Sequence, residues 1–204
     1  MKTILKIMTV ALAFGALKAA AIEPAVSSAA AGGFNESIIT AWPEKPRTIA
    51  HAMIDKYGTP DTFSDRMLVW HDNGAWKRTI VYRDEVEHLF PVKHTDFLEQ
   101  TVAYKVPVDK VGDLAKFDGS VLVDRTRGEL SARCDKEENN RLALNLADEI
   151  ARGKRTVTEA RDFFTKTVET KMAGKSSDYM DALSFTPSAS GTTMDGDFST
   201  IKAK

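Results

Sequence analysis

The stretch that decides the fold runs Met67-Leu68-Val69-Trp70-His71-Asp72-Asn73-Gly74-Ala75-Trp76-Lys77-Arg78-Thr79-Ile80-Val81-Tyr82-Arg83. Two runs rich in β-branched and aromatic residues flank Asp72-Asn73-Gly74-Ala75. Asn-Gly supplies the positive φ that a tight hairpin turn needs, so the spacing predicts two antiparallel strands, Met67–His71 and Trp76–Arg83. On the second, Trp76, Arg78, Ile80 and Tyr82 alternate with Lys77, Thr79, Val81 and Arg83. The more aromatic set, Trp76 to Tyr82, is the expected core face.

Upstream, Pro46 suits a first helical turn and Gly58 a stop, and Ile49, Ala50, Met53, Ile54 and Tyr57 form an apolar stripe between them. Downstream, residues 84–97 read as a polar loop around Phe90-Pro91, followed by a third strand, Leu98–Val106. A short helix is expected at Asp109–Lys116, then a second hairpin, 120–124 with 129–134, turning through Arg125-Thr126-Arg127-Gly128. Two helices follow. Asp135-Lys136-Glu137-Glu138 and Thr156-Val157-Thr158-Glu159 both match a capping box or its Asp variant. The first helix buries Leu142, Leu146 and Ile150, and the second buries Val157, Ala160, Phe164 and Val168. The order α-β-β-β-α-β-β-α-α predicts an α+β domain: an antiparallel sheet of about five strands in two hairpins, packed against helices.

That domain spans residues 42–172. Before it, Lys2 and Lys6 precede an apolar run from Ile7 to Leu17 and then Ala19-Ala20-Ala21, the order of a cleavable export signal over residues 1–21. The run is too short to span a bilayer, which needs about 20 apolar residues. No cysteine follows it to carry a lipid, so the expected product is free of a membrane anchor and periplasmic or secreted. Residues 22–41, rich in Ala, Ser and Gly, read as a flexible linker. Residues 173–204, with Gly174, Pro187, Gly191 and Gly196, read as a disordered tail.

The stretches Lys56-Tyr57-Gly58-Thr59-Pro60, Leu68-Val69-Trp70 and Trp76 to Tyr82 carry a resemblance, together with Phe117-Asp118-Gly119-Ser120 and Ser131-Ala132-Arg133-Cys134-Asp135. Over about residues 42–170 the chain resembles a group of exported bacterial proteins to which no activity is attached. The resemblance implies the domain boundary and an envelope location, and no chemistry.

Charge is balanced, with 28 Lys+Arg against 29 Asp+Glu, so no basic field exists to hold a nucleic-acid backbone. The single cysteine, Cys134, cannot form an internal disulfide. Leu130, Ala132 and Cys134 alternate as one strand face, and buried packing is its expected role.

No G-x-S-x-G elbow, H-E-x-x-H helix or glycine-rich phosphate loop is present. Three sets of residues could bind something. Trp70 and Trp76 border the hairpin turn, where exposed indoles would suit a protein or small-molecule partner, although strand tryptophans are more often core. Arg125 and Arg127 could present guanidinium groups to an anion, against neutralisation by Asp124 and Glu129. His88, His94 and Asp96 could ligate a divalent transition metal such as zinc, against a merely solvated acidic loop. Without a catalytic motif, the sequence favours a non-enzymatic binding or interaction protein needing no cofactor. A small metal-binding protein or metal-dependent enzyme on the His88–His94 stretch is the alternative.

Overall fold

The structure is a computed structural model that describes residues 33–189 and 191–202. The expected export signal, and the linker as far as residue 32, lie outside the described residues. The domain is α+β, built on a six-stranded antiparallel sheet of order β1-β2-β3-β4-β6-β5. Its strands are β1 (Thr62–Phe63), β2 (Met67–Asn73), β3 (Trp76–His88), β4 (His94–Ala103), β5 (Val121–Asp124) and β6 (Glu129–Cys134). The helices are α1 (Glu44–Tyr57), α2 (Val111–Phe117), α3 (Glu137–Ala151), α4 (Val157–Met172) and the single turn α5 (Asp178–Asp181). None of the described helices is long and apolar enough to cross a membrane.

The first hairpin closes where its turn chemistry demands. Asn73 pairs with Trp76 across Gly74-Ala75, and Gly74 takes the positive φ of +71°. Register then sets the two faces of the sheet. One row across it is Leu68, Val81, Leu98 and Cys134; the next is Trp70, Thr79, Gln100, Ala132 and Val121. This is the buried face. Leu68, Trp70, Val81 and Leu98 pack with Ala50 and Met53 of α1, and Val102 and Leu130 with Leu142, Leu146 and Ile150 of α3. Each fully buried side chain of this kind contributes about 2–3 kcal/mol by leaving water.

Trp76 is core as expected, but beyond it the core face of β3 is the reverse of the one expected. Thr79 and Val81 are buried, whereas Arg78, Ile80 and Tyr82 lie on the opposite face. There Arg78 pairs with Glu129 at 2.9 Å, Arg133 with Glu99 at 2.8 Å, and the Arg133 guanidinium stacks over Tyr82. Aromatic content misled because Tyr82 and the stem of Arg78 cover a polar face as readily as a core one.

A second difference matters more. Of residues 84–97, expected as a loop, only 89–93 around Phe90-Pro91 form one; β3 runs on to His88 and β4 begins at His94, and a bulge between Val81 and Val86 separates two registers of one long pairing. A bulge breaks strict alternation, which hid the strand.

Of the two expected caps, Thr156 and Glu159 form a reciprocal capping box on α4. α3 has none: Asp135 instead accepts from Asn139 at 2.8 Å, and Glu137 is engaged elsewhere.

Beyond α4, the stretch expected from composition to be a disordered tail touches the domain at several points. Asn145 in α3 donates to the carbonyls of Tyr179 and Ala182, both at 2.9 Å, and Met180 is buried. The Thr193 hydroxyl donates to the Gly128 carbonyl at 2.7 Å, and the Asp195 amide to the Arg125 carbonyl at 3.0 Å. These contacts are mainly hydrogen bonds to backbone groups, which composition does not register. A Cβ on Gly128, whose φ is +66°, would stand 2.3 Å from the Thr193 carbonyl carbon. Gly128→Ala is therefore expected to cost about 1–3 kcal/mol and to release the segment around Thr193 and Asp195. Thermal melting with limited proteolysis checks this; parent-like melting with an equally protected segment would refute the contact.

Candidate metal centre

β4 alternates, so His94, Asp96 and Leu98 share one face, and Leu98 is core. His88 lies directly opposite His94 across the β3–β4 pair, and Cys134 directly opposite Leu98 across β4–β6. These residues meet at one end of the sheet, where the stretch after α2, Asp118-Gly119-Ser120, also arrives. Ser120 is fixed there because its carbonyl accepts from the Arg133 amide at 3.0 Å.

One donor atom from each of His88, His94 and Asp96 lies within 4.8 Å of the others. Asp96 Oδ1 is 3.1 Å from His94 Nε2, and Asp96 Oδ2 is 3.3 Å from His88 Nδ1. The imidazole rings are 4.9 Å apart between centroids. Asp96 is 2% exposed, and a carboxylate so sheltered from water needs compensation. Its Oδ2 accepts a hydrogen bond from the Ser120 hydroxyl, while Oδ1 has no hydrogen-bond partner, nor does His88 Nδ1.

The outer contacts orient both rings. His94 Nδ1 sits 2.8 Å from the Val92 carbonyl oxygen, which holds a proton on Nδ1 and turns Nε2 toward Asp96. Asp118 Oδ1 lies 3.6 Å from His88 Nε2, favouring a proton there and leaving Nδ1 free to ligate. Burial pushes the Asp118 carboxyl above the usual carboxylate range, the Ser120 amide and the nearby His88 opposing it. The hydrogen bond with Asp96, followed by that with Cys134, raises the His94 pKa to about 11. The pair then amounts to a buried imidazolium–carboxylate contact.

Cys134 is buried, as its alternation with Leu130 and Ala132 predicts. Burial pushes its thiol pKa up. Its Sγ lies 3.4 Å from the same His94 Nε2 that faces Asp96. Sequence reasoning brought together His88, His94 and Asp96 but missed Cys134, Asp118 and Ser120. The available signal was the parity of His94, Asp96 and Leu98, usable only once β4 is started at His94.

The other expected binding residues lie elsewhere. Trp70 and Trp76 are each 2% exposed; their indole N–H groups donate to the Gly58 carbonyl and to Glu137, both at 2.8 Å. They are core residues and offer no indole surface to a partner. Arg125 faces Asp195 and Asp197 at 3.9 and 3.7 Å, and Arg127 faces Asp124 at 3.7 Å. Acidic groups of the chain itself offset both guanidiniums, and Glu129, expected among them, instead engages Lys77 and Arg78.

No protein-family model, curated protein or solved structure matches this chain.

Proposed function

We propose that this protein binds a divalent transition metal ion through His88, His94 and Asp96. The observation that carries the reading is the convergence of two imidazoles on one buried carboxylate, with Asp96 Oδ1 3.1 Å from His94 Nε2, Oδ2 3.3 Å from His88 Nδ1 and one donor from each residue within 4.8 Å of the others. A dication among them would coordinate Oδ1 and both lone pairs and take the place of the shared proton. The Val92 carbonyl and Asp118 support the reading, because ligand histidines characteristically have their second nitrogen held by such groups. The proposal includes export, which rests on the N-terminal sequence pattern.

The test is melting of the untagged protein with and without zinc, alongside elemental analysis. At free zinc one hundred times the dissociation constant, stabilisation should reach about 2.7 kcal/mol. His94→Ala and Asp96→Asn should each abolish it. Unchanged melting of the parent on adding zinc, cobalt or copper, together with metal-free protein from cells, would end the proposal.

A further inference from the structure

The three ligands leave one position of a tetrahedron to fill, and the chain has a donor beside it. We infer that Cys134 is the fourth ligand, making the centre a closed, zinc-class site of two imidazoles, one carboxylate and one thiolate; the inference rests on the metal reading above.

Donor separations carry the argument. Tetrahedral zinc, with bonds of about 2.0–2.2 Å to nitrogen or oxygen and about 2.3 Å to sulfur, requires its ligands to stand roughly 3.3–3.6 Å apart. Two edges that share His94 Nε2 come close to that range, to Asp96 Oδ1 at 3.1 Å and to Cys134 Sγ at 3.4 Å, while His88 Nδ1 stands 3.3 Å from the other carboxylate oxygen, Oδ2. Sulfur and carboxylate thus flank one imidazole nitrogen as neighbouring vertices would. The Sγ stands outside the group of donors that lie within 4.8 Å of one another, so closing the tetrahedron requires it to move toward His88 and Asp96 as the metal enters.

Charge points the same way. Asp96 and a Cys134 thiolate supply two negative charges, and two neutral imidazoles supply none. A dication therefore balances the four ligands, whereas a monovalent ion leaves a larger negative charge out of water. The carboxylates of Asp135, 3.4 Å from Sγ, and Asp118, 3.6 Å from His88 Nε2, lie outside them. Binding releases the thiol proton to solvent as the metal–sulfur bond forms, so burial that opposes a free thiolate does not oppose a coordinated one. A cavity of about 160 Å³ lined by Pro91, Val92, His94, Cys134 and Phe164 gives the ion a route to the sulfur side. Four protein ligands leave no place for a metal-bound water, so the centre would hold metal or brace the sheet end and would not hydrolyse substrate.

Cobalt(II) added to the reduced, untagged protein tests this directly. The expected result is one cobalt per chain, tetrahedral visible bands and an intense near-ultraviolet sulfur-to-cobalt charge-transfer absorption. Cys134→Ser and Cys134→Ala should lose that absorption and bind at least roughly tenfold more weakly. Their metal-free melting curves report whether they fold, and the charge-transfer band of the parent needs no variant. Cobalt bound by the parent without the band would overturn the thiolate ligand and leave the three-ligand site standing. Failure of cobalt and zinc to bind at all would overturn both.

Discussion

Replacing Glu137 with alanine is expected to destabilise the protein by about 3 kcal/mol. Glu137 opens α3 and is largely buried, and its carboxylate accepts from Lys56 Nζ and the Tyr57 hydroxyl at 2.6 Å, from Trp76 Nε1 at 2.8 Å, and from Arg141. α1, β3 and α3 therefore meet on one acceptor. Its removal leaves an indole N–H and a phenol in the core with only each other, at 3.2 Å, and two cations without a counter-charge. Because Lys56 is partly exposed and can return to water, the cost falls at the lower end of the range for a broken buried pair. Glu137→Gln keeps an acceptor for Trp76 and should cost roughly half as much.

The same group sets a pH dependence. Burial raises the Glu137 pKa, but the hydrogen bonds from Lys56, Tyr57 and Trp76 outweigh it and hold the folded value below the usual glutamate range. A depressed folded pKa means stability that is present above the unfolded value and lost as pH falls through the folded one. Denaturant melts of the parent should therefore weaken below the ordinary glutamate range, and those of Glu137→Ala should weaken less. Equal acid sensitivity in parent and variant would refute the assignment.

The other large effect belongs to Phe117. It is fully buried at the end of α2 and meets Phe90 and Phe164 edge-on, with ring centroids 6.5 and 6.3 Å away. Phe117→Ala should cost about 3–5 kcal/mol, the lost transfer of the ring plus the cavity it leaves. The variant should also weaken metal binding, because Asp118 and Ser120, which follow it closely, hold His88 and Asp96. Phe164→Leu, which keeps most of the volume, should cost less and leave zinc affinity nearer the parent's. Melting and zinc titration on the two variants separate packing from site support. Parent-like affinity in a destabilised Phe117→Ala would show that the loop is held independently of the ring.

Much of the fold was legible because its signals are local. Asn73-Gly74 marks the first hairpin, Gly58 stops α1, and Thr156 with Glu159 caps α4. What escaped depends on partners distant in sequence. β1 is a two-residue strand that exists only because Val69 and Leu68 pair with it. The face of β3 was decided by α1 and α3 lying on the Val81 side, which no alternation within β3 announces. At the site, His88, His94 and Asp96 could be grouped by proximity in sequence, while Cys134 reaches them only through the β4–β6 register.

That sheet has one further property, seen in the lengths of its outermost members. Its long strands, β3 and β4, are interior, and the borders are the two-residue β1 and the four-residue β5. The two border strands themselves offer a neighbouring chain too short a template for intermolecular strand growth, and the longer edge lies where β3 past Tyr82 and β4 before Leu98 run beyond β2 and β6. On the β5 side, Asp124 and Arg127 add charge at the turn. Border strands this short limit edge-to-edge pairing of one domain with the next along β1 and β5.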